Sequence, residues 1–389
     1  MTIPFIDLKT QREKIHFEIE TAIKRVLDHG QFILGPEIVQ LESELSQLCD
    51  VTETISCSNG TDALTLILRA RNIGLGDAVI IPNFTMAATA EVVVLAGATP
   101  IMVDVLKESG NIDPKSAEEG IKVAQKNGLK PKAIIAVDLY GVPAEYDALE
   151  KLCDQYKIDL ICDAAQSLGG AYRGRKIGGI GIATSTSFYP AKALGCYGDG
   201  GAVLTNDEEL ATIMKSIREH GKGSHRYDHV RVGFNARMDT LQAAILLEKL
   251  KIFPEEIELR NDIAARYHHG LKNVVDVPQI PSYIVPVWAQ YTIQLRGINR
   301  EKLMRELGQK GIPTAIHYPK PLHKQLAYRD YPKVSQLNVS ETLAETVLSL
   351  PMHAYLDKTS QDFIIENLIS LLNQKAIYEN QTSRYTVSA

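Results

Sequence analysis

Short apolar runs alternate with helical stretches over the first half of the chain, and this alternation constrains the fold more than any other feature. "ETISCS", "DAVIIP", "PIMVDV", "KAIIAVDLYG" and "KIDLICDAAQ" each read as a strand, while "NGTDALTLILRARNIG", "TMAATAEVVVLAGA" and "PAEYDALEKLCDQY" have the spacing of helices. Strands this apolar are buried on both faces. With a helix after each, they predict an α/β fold: a large domain whose mainly parallel central sheet is flanked by helices. The first of these helices is expected to open at Asn59 or Thr61 and to close at Gly74, where glycine suits a left-handed cap.

After "GGAVLTND" the pattern changes. A long helical region from Asp239, "DTLQAAILLEKLKIFPEEIELRNDIAARYHHGL", is expected to cross into a smaller C-terminal α+β domain holding "WAQYTIQL" and "REKLMRELGQKGIPTAIHY". The boundary is set at Phe253 and Pro254, giving a large domain over 1–253, N-terminal segment included, and a small domain over 254–389. The polar tail "NQTSRYTVSA" is expected to fray.

The 389 residues carry a net charge of −5 with both signs interspersed, so neither a nucleic-acid partner nor a membrane surface is expected. A small anionic substrate needs only local positive charge and stays compatible. Met1 to Gln11 lacks the basic start and apolar run of a secretory signal, and no apolar run is long enough to span a bilayer, so the cytoplasm is the expected compartment. The five cysteines, Cys49, Cys57, Cys153, Cys162 and Cys196, form no CxxC pair, which argues against disulfides and a bound metal. Cys57 and Cys162 lie in apolar runs and are expected to be core thiols.

In such sheets ligands sit beyond the carboxyl ends of the strands, so polar residues just after apolar runs are the first candidates. In "SNGTDA", Gly60 and Thr61 open a helix whose N–H groups can bind an anion, although simple capping by Asn59 or Asp62 is the commoner use. Asp163, at the end of "KIDLIC", could face a flat ring or merely cap the next turn. Lys192 follows "SFYPA" and precedes a glycine-rich return to a strand at Ala202, in a stretch where a solvated lysine is the ordinary outcome. Taken in order, an anion cradle, a buried carboxylate and an amine in a tight loop are what pyridoxal 5'-phosphate (PLP) requires.

"SNGTDAL", "DAAQ", "SFYPAK" with "GDGGAV", and "GFNARMDTLQAA" together resemble the nucleotide-sugar aminotransferases of the DegT/StrS type, from "PFIDLKTQ" through "LSLPMHAYL". The resemblance implies PLP fold type I, the fold of aspartate aminotransferase, with PLP as cofactor. It makes Lys192 the Schiff-base lysine and proton-transfer base, pairs Asp163 with the pyridinium nitrogen and gives Gln166 the ring hydroxyl. Gly60, Thr61 and Ser187 would hold the phosphate. In the "GxNxR" motif, Asn235 would reach that phosphate across a homodimer interface, with Arg237 close to the substrate. The chain departs from relatives at "TMAATA", where Met86 replaces the aromatic residue over the ring; a thioether can still cover a π face.

Relatives that act as sugar dehydratases carry histidine in place of the lysine, so Lys192 implies amino transfer, from an amino acid that by family habit is glutamate. "SFYPAKALGCYGDGGA", "WAQYTI" and "GIPTAIHYPKPLHKQ" look most like the branch that aminates C3 of a UDP-linked 2-acetamido-3-oxo-glucuronate for surface polysaccharides. That reading places Arg237, His317 and Tyr318 near the sugar. A UDP- or GDP-linked 4-keto-6-deoxy sugar and a dTDP-linked 3-keto-6-deoxy sugar stay open, as does a dehydratase, because pocket chemistry decides the substrate.

Overall fold

The computed structural model describes residues 3–225 and 227–374. The tail "NQTSRYTVSA" lies outside the described residues. Three helices come first: α1 (Leu8–Lys14), α2 (His16–His29) and α3 (Pro36–Cys49). The sheet then forms from β1 (Glu53–Cys57), β2 (Asp77–Pro82), β3 (Thr99–Val103), β4 (Lys130–Val137) and β5 (Asp159–Asp163), and from two later strands. Between β5 and those strands, β6 (Ala171–Tyr172) and β7 (Arg175–Lys176) make a small hairpin. The later strands are β8 (Ala183–Ser187) and β9 (Gly201–Thr205), and the seven run in the order β1-β9-β8-β5-β4-β2-β3.

Neighbours from β8 to β3 are parallel, whereas β9 runs antiparallel to both β1 and β8. Two reversals cancel, so β1 points the same way as β8. The carboxyl ends of β1, β2, β4, β5 and β8 therefore share one edge. Both sheet faces are covered, which is why most strands are apolar; β8 instead buries Thr184, Ser185 and Thr186, whose hydroxyls donate to backbone carbonyls. One face carries α4 (Gly60–Ala70), α5 (Ala88–Leu95) and, later in the chain, α8 (Glu208–Arg218); the other carries α6 (Pro114–Lys126) and α7 (Tyr146–Tyr156).

One local expectation is corrected and one region is divided further. Helix α4 ends at Ala70, not Gly74, and Asn72 takes the left-handed turn with φ 52°. Asparagine tolerates that conformation better than most residues. Gly74 instead donates its N–H to the Asp77 carboxylate at 3.1 Å, at the start of β2. The long helical region is also two helices, α9 (Thr240–Leu250) and α10 (Phe253–Leu271). Pro254 has no N–H to continue α9 but fits the first turn of a new helix.

Beyond α10 the chain forms β10 (Ile284–Val285), which pairs with β6, then β11 (Tyr291–Gln294), α11 (Arg300–Gln309), α12 (Asn338–Thr346), β12 (Val347–Leu350) and α13 (Lys358–Leu372). Strands β11 and β12 pair antiparallel over a core that includes Tyr267, Leu303, Leu307, Leu348 and Leu368. Ile3 joins that core from the other end of the chain.

Candidate active site

At the shared carboxyl edge, β1 passes into α4 through Ser58 and Asn59. Of the two capping candidates Asn59 is the cap: its side chain accepts from the Asp62 N–H at 2.8 Å, while Asp62 accepts from the Ser58 hydroxyl and from the Asn59 amide. The N–H groups of Gly60 and Thr61, at the head of the helix, have no acceptor within it. Ser187, last in β8, lies against them. A Cβ on Gly60 would stand 2.7 Å from the Ser187 Cβ, and one on Gly201 would stand 2.5 Å from the Asn59 carbonyl. Glycine is required at both positions, at Gly60 because the Ser187 side chain, and at Gly201 because the Asn59 backbone, lies where a Cβ would be. A helix N-terminus with two unshared N–H groups beside a hydroxyl has the chemistry of an anion site.

Asp163 ends β5, and its Oδ1 accepts from the Ala165 N–H at 3.0 Å, so it does cap the next turn. Burial raises its pKa, against the Ala165 N–H and Lys192, which lower it. Lys192 sits half-buried in the loop after β8, its N–H bonded to the Tyr189 carbonyl at 2.8 Å. Desolvation lowers the pKa of its amine, and Asp163 opposes that. Gln166 uses its Oε1 to accept from the Tyr140 N–H at 3.0 Å. The Tyr318 hydroxyl faces Gln166 and Asp163, and burial with that negative charge pushes it up to about 12.

His317 comes from the C-terminal half. Burial and then the Lys192 charge lower its pKa; its Nδ1 lies 3.0 Å from the Ser349 hydroxyl, and its carbonyl accepts from the Tyr140 phenol. The structure thus gathers Lys192, Asp163, Gln166, His317 and Tyr318 around one cleft, with Gly60, Thr61 and Ser187 at its end. Asn235 and Arg237 lie on the segment before α9. Asn235 is exposed and accepts from the Arg237 Nε at 3.0 Å, and their segment is tied to the end of β1 by a bond from the Ser58 N–H to the Ala236 carbonyl. Met86 stands in the loop before α5, 53% exposed.

Asp138 and Tyr140 were passed over by the sequence reading. Asp138 is buried and accepts from the Ser167 hydroxyl at 2.5 Å, the Tyr146 hydroxyl at 2.6 Å and the Ala144 N–H at 2.8 Å. Burial, with Asp163 adding to it, pushes its carboxyl up to about 7. The signal was present, since Asp138 ends the apolar run of β4 as Asp163 ends that of β5.

A family model described as the DegT/DnrJ/EryC1/StrS aminotransferase family matches residues 13–369. The UDP-2-acetamido-2-deoxy-3-oxo-D-glucuronate aminotransferase of Pseudomonas aeruginosa is 48% identical over 92% of this chain and 97% of its own length. A crystal structure of a DegT DnrJ EryC1 StrS aminotransferase from Brucella abortus superposes with a TM-score of 0.94 at 47% identity, covering 96% of this chain and all of that one (100%). NtdA from Bacillus subtilis with bound cofactor PMP superposes with a TM-score of 0.86 at 30% identity, covering 95% of this chain and 83% of that one.

Proposed function

The chain belongs to the DegT/DnrJ/EryC1/StrS aminotransferase family and is a PLP-dependent sugar aminotransferase, and we propose that it transfers an amino group from L-glutamate to C3 of UDP-2-acetamido-2-deoxy-3-oxo-glucuronate. The substrate rests on the likeness to the Pseudomonas enzyme along nearly all of both chains. The observation that carries amino transfer rather than dehydration is Lys192 itself, an amine with a lowered pKa facing a buried carboxylate.

The residues present fit PLP. A cradle of N–H groups and a hydroxyl, too tight for a Cβ, suits its phosphate, and Asp163 offers a buried negative charge to a ring N–H. When bound, PLP supplies an electron sink conjugated to the reacting carbon. Asp163 keeps the ring nitrogen protonated, Gln166 holds the ring hydroxyl, and Gly60, Thr61 and Ser187 hold the phosphate. Met86 covers one ring face. Lys192 takes a proton from the donor's Cα and returns one to the sugar carbon, steps that need a neutral amine and so benefit from burial. Tyr318 and His317 orient the sugar, and the Arg237 guanidinium pairs with the uronate carboxylate. Asn235 of one subunit completes the phosphate site of the other, so the working unit is a homodimer, and we place it in the cytoplasm, where nucleotide sugars for surface polysaccharides are made.

A two-stage spectroscopic experiment tests this. Glutamate alone should convert the visible band of the PLP-loaded protein to the near-ultraviolet band of PMP. The 3-oxo-glucuronate nucleotide should then restore the visible band at least tenfold faster than dTDP-3-keto-6-deoxy or UDP-4-keto-6-deoxy sugars, the discrimination of one well-made polar contact. Restoration only by a 6-deoxy sugar would overturn the substrate, and no change with any amino acid would overturn amino transfer in favour of dehydration.

A further inference from the structure

Lys249 is the only buried lysine among the described residues, 1% exposed, on a helix whose other buried positions are mostly apolar. An ammonium taken out of water is costly unless something specific receives it. Here its Nζ donates to the Gly195 carbonyl at 2.6 Å and lies 4.3 Å from the centre of the Tyr197 ring. Both partners belong to the loop from Tyr189 to Gly200 that carries Lys192.

That loop is folded back on itself. The Cys196 N–H reaches the Phe188 carbonyl at 2.8 Å, and a Cβ on Gly195 would stand only 2.6 Å from the Pro190 carbonyl oxygen. A second tie comes from the same helix, where the Gln242 Oε1 accepts from the Tyr197 N–H at 2.9 Å. Gln242 and Lys249 are two turns apart and so share one face of α9. The charge acting on Lys249 is that of the Glu256 carboxylate, while the Cys196 thiol beside it is itself pushed up to about 11 by burial. Glu256 is held in α10 by Gln11 at 2.9 and 3.0 Å and by Tyr355 at 2.5 Å, and the same packed region contains Arg260 and His353. Desolvation pulls the Lys249 amine down to about 8, a measure of what burial costs it.

We propose that Lys249, assisted by Gln242, is a positioning residue for Lys192: it clamps the Gly195 carbonyl and fixes the loop in the shape that presents the Lys192 amine to the cofactor. This rests on the PLP reading of the cleft. Lys249 touches neither cofactor nor substrate, so the readouts must report on the loop and on the Lys192 amine.

Lys249→Met keeps the apolar stem and removes the donor, whereas Lys249→Arg keeps a donor. In Lys249→Met the visible band should titrate with a shifted midpoint pH, PLP should leave about tenfold faster, and in the apo protein the amides of Tyr189 to Tyr197 should exchange with deuterium about tenfold faster, the size expected for one charge-assisted bond. Lys249→Arg should recover most of each change. Leu246→Ala, a core truncation in the same helix, should lower the melting temperature and leave the midpoint in place. If Lys249→Met does not fold, Gln242→Ala must shift midpoint and exchange in the same direction. Unchanged midpoint, release and exchange in the folded variant overturn the clamp. A wild type without a visible band would instead overturn the cofactor reading, and this inference with it.

Discussion

Two carboxylates end adjacent strands of one sheet edge, and their surroundings give them different tasks. Asp163 has one oxygen on the Ala165 N–H and a lysine as its opposing charge, so an incoming cationic ring completes it. Asp138 is enclosed by three donors of its own chain, and burial still pushes it up to about 7 from an ordinary 3.8. Between those two values the folded protein retains a proton that the unfolded chain has released. The sign follows: Asp138 contributes least penalty below pH 3.8, and stability is lost as pH rises through about 7. Asparagine in its place can accept the same Ala144 N–H and has no charge to bury. Urea unfolding of the apo protein at pH 4.5 and 7.5 should show wild type losing about 3 kcal/mol relative to Asp138→Asn over that interval. Parallel pH dependences of the two proteins would contradict the assignment.

The cleft depends on how closely the first turn of α4 approaches the end of β8. In Gly60→Ala the new methyl would stand 2.7 Å from the Ser187 Cβ, so helix and strand must separate by several tenths of an ångström. Overpacking of this kind costs about 1–3 kcal/mol. Because the separation falls on the phosphate cradle, PLP affinity measured by fluorescence titration should drop at least tenfold, while the apo melting temperature falls only a few degrees. A large loss of apo stability with unchanged PLP affinity would place the strain elsewhere. Strands β1 to β5 were legible because burial on both faces writes itself as apolar runs, whereas β8, which reads "ATSTS", carries no such run; Asn59 was already a cap candidate in the sequence. Strand order was not, since β9 enters between β1 and β8 through pairings that no local pattern announces. Gly74 misled because glycine is only the commonest left-handed residue, and Asn72 was available two positions earlier. Asp163 and Lys192 stood out as polar residues following apolar runs or set among small ones, whereas Lys249 lay within "TLQAAILLEKL", where the apolar helical face hides a single buried charge.

At the scale of the molecule, Asn235 is exposed, and the stretch before it turns apolar side chains outward, Val230 at 54% and Val232 at 79% exposure. Phe17, Leu27 and Val39 are also exposed, on α2 and α3. Under the proposed homodimer, exposed apolar side chains such as these are what a second subunit would cover. If each cleft takes Lys192 from one subunit and Asn235 from the other, the two defects must complement. Lys192→Ala and Asn235→Ala proteins, each weak alone at limiting PLP, are unfolded together and refolded as a mixture. Half of the dimers are then hybrids, and each hybrid holds one cleft with both residues intact and one with neither. Activity should recover to about a quarter of wild type per cleft, the fraction that random pairing of two subunits dictates. If Asn235 served the cleft of its own subunit, every hybrid cleft would lack one residue, and mixing would restore nothing beyond the average of the two parents.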